Sequence, residues 1–176
     1  MNIKTALIAV LMMTIATSYS QPPVEKLRKA FFAMKTDSCG AATLFNMAKQ
    51  EIYSDALVQA YAGAGEAAMA ECMSGPLDKL GTFKRGKRNI EEAVEKEPAD
   101  AEIRFLRFAT QANIPAMLGY NNMRDDKAII VSRLPQLLKE DKDGFWENVA
   151  QFMINSDELN KEETAAVRKA IEEANR

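Results

Sequence analysis

KRGKRNIEEAVEKEPADAEIRFLRFATQA, residues 84–112, decides the fold. Ile90, Ala93 and Val94 return at spacings of three and four, the period of one helix face. Pro98 stops that helix, because proline has no N–H to donate and its ring clashes with the preceding turn. Asp100 stands where an N-cap carboxylate accepts the first loose N–H groups, and Phe105 and Phe108 line a face running to about Asn113. Helix, breaker, cap and second helix together predict a helix pair.

Outward from this stretch the same period continues. Val24, Leu27, Phe31 and Met34 form one stripe, and Ala41, Phe45, Ala48 and Ile52 form another. A third runs through Leu57, Tyr61, Ala64, Ala68 and Cys72, amid small residues that let a neighbouring helix approach closely. Gly63 and Gly65 cost a helix interior ~1 kcal/mol each, which close packing would offset. Gly75-Pro76 ends that helix and opens the next, whose inner face begins with Leu80 and Phe83. Pro115 closes the helix that Asp100 starts, and the turn residues from Ala116 to Arg124 predict a long loop. Asp125 is the expected cap of a helix that Pro135 must end, kink or restart. Asp143 would cap a helix carrying Phe145, Trp146, Val149, Phe152 and Met153. Asn160 with Glu163 reads as a capping box before Thr164, Val167 and Ile171. No segment alternates as a strand would. The expectation is an all-α domain over residues 21–176, a helical bundle or a short helix-pair array.

Gly86, Ile90, Ala93 and Pro98 fall at the spacing of the second helix and closing proline of the tetratricopeptide motif, which residues 84–112 resemble over about one repeat. The segment before it lacks the first-helix spacing, and Arg107 stands where the motif expects an apolar residue. The resemblance implies tetratricopeptide-like helix pairs. PADAEIRFLRF and LGYNNMRDDK also resemble an uncharacterised family of small exported bacterial proteins. That likeness implies export and helices, and no activity.

Near the start, Lys4 precedes the apolar run Ala6–Ile15, and small polar residues 17–20 follow, the order of a secretory signal peptide cleaved after Ser20. The run is about half the ~20 apolar residues a membrane span needs, and no transmembrane segment is expected after cleavage. The expected location is exported, periplasmic or extracellular. Loss of Lys4 makes a net charge of -2 one unit more acidic, which gives no general attraction to nucleic acid.

The chain holds no histidine and two cysteines. Histidine-based triads, histidine-ligated metals and a four-cysteine zinc site are therefore excluded, and neither cofactor nor metal is expected. A glycosidase needs opposed carboxylates and usually aromatic platforms, whereas the one tryptophan, Trp146, lies on an apolar helix face. A serine–lysine pair has no sequence support. Cys39 and Cys72 lie about 14 and 18 residues from a turn near Tyr53-Ser54, within roughly 6 Å of axial offset at 1.5 Å per residue. A disulfide and two buried thiols both suit that placement.

Two polar surfaces stand out. Lys84, Arg85, Lys87 and Arg88 form a basic cluster, but Lys87 with Glu91 and Arg88 with Glu92 make i,i+4 pairs, so the cluster reads as a solvated face. Arg104, Arg107 and Gln111 share a helix face opposite Phe105 and Phe108, with Glu102 one turn earlier. Long polar side chains on such a helix can line a concave groove for an extended peptide, with arginine forks for a carboxylate. Asn113, Tyr120, Asn121 and Asn122 would rim it. The same residues also suit an internal network in which Glu102 pairs with an arginine and helices are tied together. The expected function is an interaction or binding module for a protein or peptide, without enzymatic activity. The alternatives are an envelope structural or assembly component without a groove, and a histidine-free hydrolase.

Overall fold

The computed structural model describes residues 23–34, 40–49, 55–114 and 123–176. Among them the chain forms eight α-helices: α1 (Val24–Ala33), α2 (Ala41–Ala48), α3 (Ala56–Met69), α4 (Pro76–Lys96), α5 (Ala101–Ala112), α6 (Met123–Glu140), α7 (Phe145–Asn155) and α8 (Lys161–Ala174). No described residue lies in a strand, and the protein is an all-α bundle.

The centre of the bundle is α3, buried without a break from Val58 to Ala67 because α1, α2, α4 and α5 all pack on it. Its antiparallel partner is α4. Their crossing depends on Gly86: a Cβ there would lie 2.3 Å from the Ala67 nitrogen and 2.5 Å from the Gly63 oxygen, both backbone atoms. The small-residue run thus allows the backbone contact its composition predicts, and burial on every side explains why α3 shows no clean polar face. A single 3-10 turn, Ala70–Cys72, completes α3, and Pro76 opens α4 at the first helical position.

Two apolar clusters meet at α5. Ile103 and Leu106 face the cluster of α2, α3 and α4 with Leu44, Tyr61 and Ile90. Phe105 and Phe108 face the cluster of α6, α7 and α8 with Leu134, Trp146, Val149 and Val167. Phe31 of α1 packs against both, edge-on to Tyr61 and to Phe105. Trp146 belongs to the core, as its helix face predicts.

Several boundaries follow the sequence. Asp100 accepts from the Glu102 and Ile103 N–H groups, and Asn160 with Glu163 forms the capping box of α8. Others differ. Asp125 does not cap α6, which already begins at Met123 and runs through Pro135 to Glu140 without ending. Gly144, at φ 72°, is the N-cap residue of α7, with the Asp141 and Asp143 carboxylates accepting from the Phe145 N–H. A left-handed residue there suits glycine, which has no Cβ to clash. Leu80, expected on the inner face, stays 37% exposed. The expected leader, residues 1–20, and the core of the expected loop, residues 115–122, lie outside the described residues.

Candidate functional site

The groove expected on α5 is not open. Arg107 is 5% exposed, and its Nε and Nη2 form a fork on Asp126 of α6, at 2.8 Å to Oδ2 and 2.7 Å to Oδ1. Its Nη1 donates to Glu91 of α4 at 2.7 Å. Arg104 donates from Nη1 to the same Asp126 at 3.0 Å and from Nε to the Pro98 carbonyl. Gln111 is buried and reaches Asp126 Oδ2 at 3.4 Å. Asp126 is 0% exposed. A carboxylate taken fully from water is tolerable because four donors and two positive charges replace its hydration. Burial most strongly opposes charge on Arg107, yet the Asp126 hydrogen bonds and charge raise its pKa above the usual arginine value.

Glu102 is equally internal. Its carboxylate accepts from Arg28 Nε at 2.9 Å and Nη2 at 2.6 Å, and from the Tyr61 hydroxyl at 2.6 Å. The hydrogen bond to Glu102 raises the Arg28 pKa. Burial, then the charge of Glu102, raise the Tyr61 phenol far above its ordinary value, so it stays a donor. Arg28 also reaches Asp143 at 3.1 Å and lies 4.2 Å over the Phe145 ring. The polar face of α5 thereby ties α1, α3, α4 and α6 together. Asn113 is exposed and donates to the Ala109 carbonyl, while Tyr120, Asn121 and Asn122 lie outside the described residues. Cys72 is disulfide-bonded, and Cys39 lies outside the described residues.

The sequence reading missed Asp126 and the partners Arg28 and Tyr61. Asp126 carried one readable signal. On a helix starting near Met123 it falls four residues before Ile130 and eight before Leu134, on the buried stripe.

An open cleft lies elsewhere among the described residues. With a volume of about 1000 Å³, it runs between the ends of α1, α3, α5 and α7 and the start of α4. Phe31, Phe32, Ala67, Phe83, Ile114 and Phe152 make its floor, and Lys79, Thr110, Asn113, Asn155 and Ser156 stand along it with Glu71. Leu80 lines one edge, and one turn away Leu77 is 84% exposed. The cleft can accept apolar groups through its rings, while amides and hydroxyls at the sides can bond a polar backbone. Leu77 was also legible: it sits well off the Phe83, Ile90 and Val94 face of α4, where an exposed leucine has no role in the core.

Among the described residues no three Asp, Glu, Cys or His side chains are gathered to hold a metal. No described helix is long and apolar enough to cross a membrane. No family model, no curated protein and no solved structure matches this chain.

Proposed function

We propose that this chain is a binding module that receives a segment of another protein in the apolar cleft between α1, α3, α4, α5 and α7. The observation that carries the reading is the cleft itself: an aromatic and aliphatic floor beside side-chain amides and hydroxyls, opening next to two exposed leucines. Apolar side chains entering it gain roughly 25 cal/mol per Å² of surface removed from water, and a peptide backbone finds partners along the sides. The buried arginine network has a supporting part in this reading. It fixes α5 and α6 against α3 and α4, and so holds the cleft walls in place. Helix pairs of the tetratricopeptide kind remain part of the proposal through the Gly86, Ile90, Ala93 and Pro98 spacing, with the binding surface moved off the α5 arginines. The charged-then-apolar order of residues 1–20 supports a setting outside the cytoplasm, periplasmic or extracellular.

One observation favours a second reading, an envelope scaffold without a ligand: the arginines that would have made a groove are all paired internally. A displayed random-peptide library, panned against the protein, separates the two. Selected peptides bind at about micromolar Kd and lose at least tenfold on Ala112→Glu, which introduces a charge into the half-buried cleft wall. Circular dichroism confirms that the variant folds. If no peptide is enriched, or if enriched peptides bind Ala112→Glu as well as the parent, the cleft is not a binding site and the scaffold reading replaces it.

A further inference from the structure

The outer face of α4 shows what kind of segment the cleft takes, an inference that rests on the cleft reading above. Leu77, Leu80, Lys84 and Arg88 follow one another at three, four and four residues, so they form a single stripe along the helix. All four are exposed. The stripe meets the cleft edge at Leu80, which is shared with the cleft lining, and runs from there to Arg88 for about 12 Å at 1.5 Å per residue. It is apolar for its first turn and basic for the next two.

By sequence alone this basic patch is neutralised by the acids one turn later. In the fold those acids also serve other helices. Glu91 turns inward to Arg107 of α5 at 2.7 Å. Glu92 accepts from Gln59 of α3 at 2.8 Å and also pairs with Arg88 at 3.9 Å, as the i,i+4 spacing predicts, while the Arg88 side chain stays 67% exposed. Arg85 is drawn to Glu66 of α3 at 2.6 Å. Lys84 and an Arg88 that is paired only at 3.9 Å therefore stand on the outer face beside two exposed leucines. Beyond Arg88 the same stripe meets exposed Glu95, which sets where an acidic ligand must end.

We infer that the partner segment is an acidic amphipathic helix of about three turns, whose apolar face seats on Leu77, Leu80 and the cleft mouth while its carboxylates lie over Lys84 and Arg88. Apolar area supplies its affinity. The basic residues supply register and salt dependence, since exposed charge pairs are weak individually and screened by salt.

The test pans the same displayed library against the parent protein, Ala112→Glu and the exposed-face variant Lys84→Glu/Arg88→Glu. Vesicles of phosphatidylglycerol with phosphatidylcholine form a second arm. The expected result is enrichment of peptides with leucine-like anchors at helical spacing and several Asp or Glu. Their affinity weakens with added salt and falls about tenfold on Lys84→Glu/Arg88→Glu, the value of two weak pairs turned to repulsion. That variant in turn selects peptides richer in Lys and Arg, a switch that a folding defect does not produce.

Neutral or basic peptides that depend on Ala112 but not on Lys84 and Arg88 overturn the acidic-helix inference and leave the cleft reading in place. Peptides indifferent to all three substitutions overturn both. Binding to the anionic vesicles that is lost on Lys84→Glu/Arg88→Glu, without enrichment of acidic peptides, overturns the inference in favour of a lipid surface.

Discussion

Replacing Asp126 by alanine removes the one carboxylate that two arginines and a glutamine share inside the bundle. Asp126 is 0% exposed and Arg107 5%, so water does not reach the gap freely. Arg107 keeps Glu91, and Arg104 keeps the Pro98 carbonyl, but the Nε and Nη2 donors of Arg107 lose their acceptor. Breaking a buried ion pair by removing one partner costs about 3–5 kcal/mol, most of it the penalty for the charge left behind. In a domain of this size that lowers Tm by roughly 6–20 °C. Urea unfolding followed by far-ultraviolet circular dichroism reads the loss as a shifted midpoint at constant m. Arg107→Ala/Asp126→Ala completes a cycle, and the double variant is less destabilised than the sum of the singles by about 1–3 kcal/mol, because the orphaned charge has gone with its partner. A loss below about 1 kcal/mol for Asp126→Ala, or strict additivity in the cycle, refutes the argument that this cluster is a buried, mutually dependent network.

Three further outcomes follow from the same geometry. Tyr61→Phe, which removes the 2.6 Å bond to Glu102 and leaves the carboxylate to Arg28 alone, lowers stability by about 1.5–3 kcal/mol in the same unfolding assay. Gly86→Ala destabilises by about 1–3 kcal/mol or more because its Cβ would meet the α3 backbone at 2.3 Å. Gly81→Ala, five residues earlier with Arg85 Nη1 nearest at 3.8 Å, stabilises by about 0.5–1 kcal/mol, and thermal melts of the two rank them in opposite directions from the parent. Burial opposes the charge on Glu163, but the Asn160 N–H and the Lys127 ammonium outweigh it and hold the carboxyl below its ordinary value of 4.5. The unfolded chain therefore binds this proton first, and the capping-box contribution is complete above about pH 4.5 and lost as pH falls through the lower folded value. Urea midpoints taken across that range show a slope that Glu163→Gln reduces, the remainder belonging to other carboxylates such as Asp143, which is also lowered.

Much of the fold was legible because it rests on local rules. The three-and-four spacing of Ile90, Ala93 and Val94, the break at Pro98, the cap at Asp100 and the capping box at Asn160 each act within a turn or two of the chain. The crowding of small residues around Gly63 announced a close helix crossing, although not that its partner would be Gly86. Local rules misplaced the start of α6, where Asp125 was a chemically good cap but Met123 already begins the helix. They also left open whether Pro135 would end, kink or restart the helix, and the packed neighbours Ile130, Leu134 and Leu138 carry it through as one helix. Tertiary packing there outweighs the loss of a backbone donor.

Composition and period by themselves determined an all-helical chain without histidine chemistry, because periodicity and residue inventory need no knowledge of neighbours. The roles of its charged residues were decided only by the tertiary structure. Arg104, Arg107 and Gln111 share a helix face in any helix, but whether that face meets solvent or Asp126 depends on where α6 packs, some twenty residues away in sequence. Glu91 stands one turn from Lys87 along its own helix and reaches Arg107 of α5 at 2.7 Å, because a buried guanidinium donor without an acceptor is costly. Packing likewise leaves Leu77 and Leu80 exposed on α4, at the mouth of a cleft that five separate helices have to meet to form.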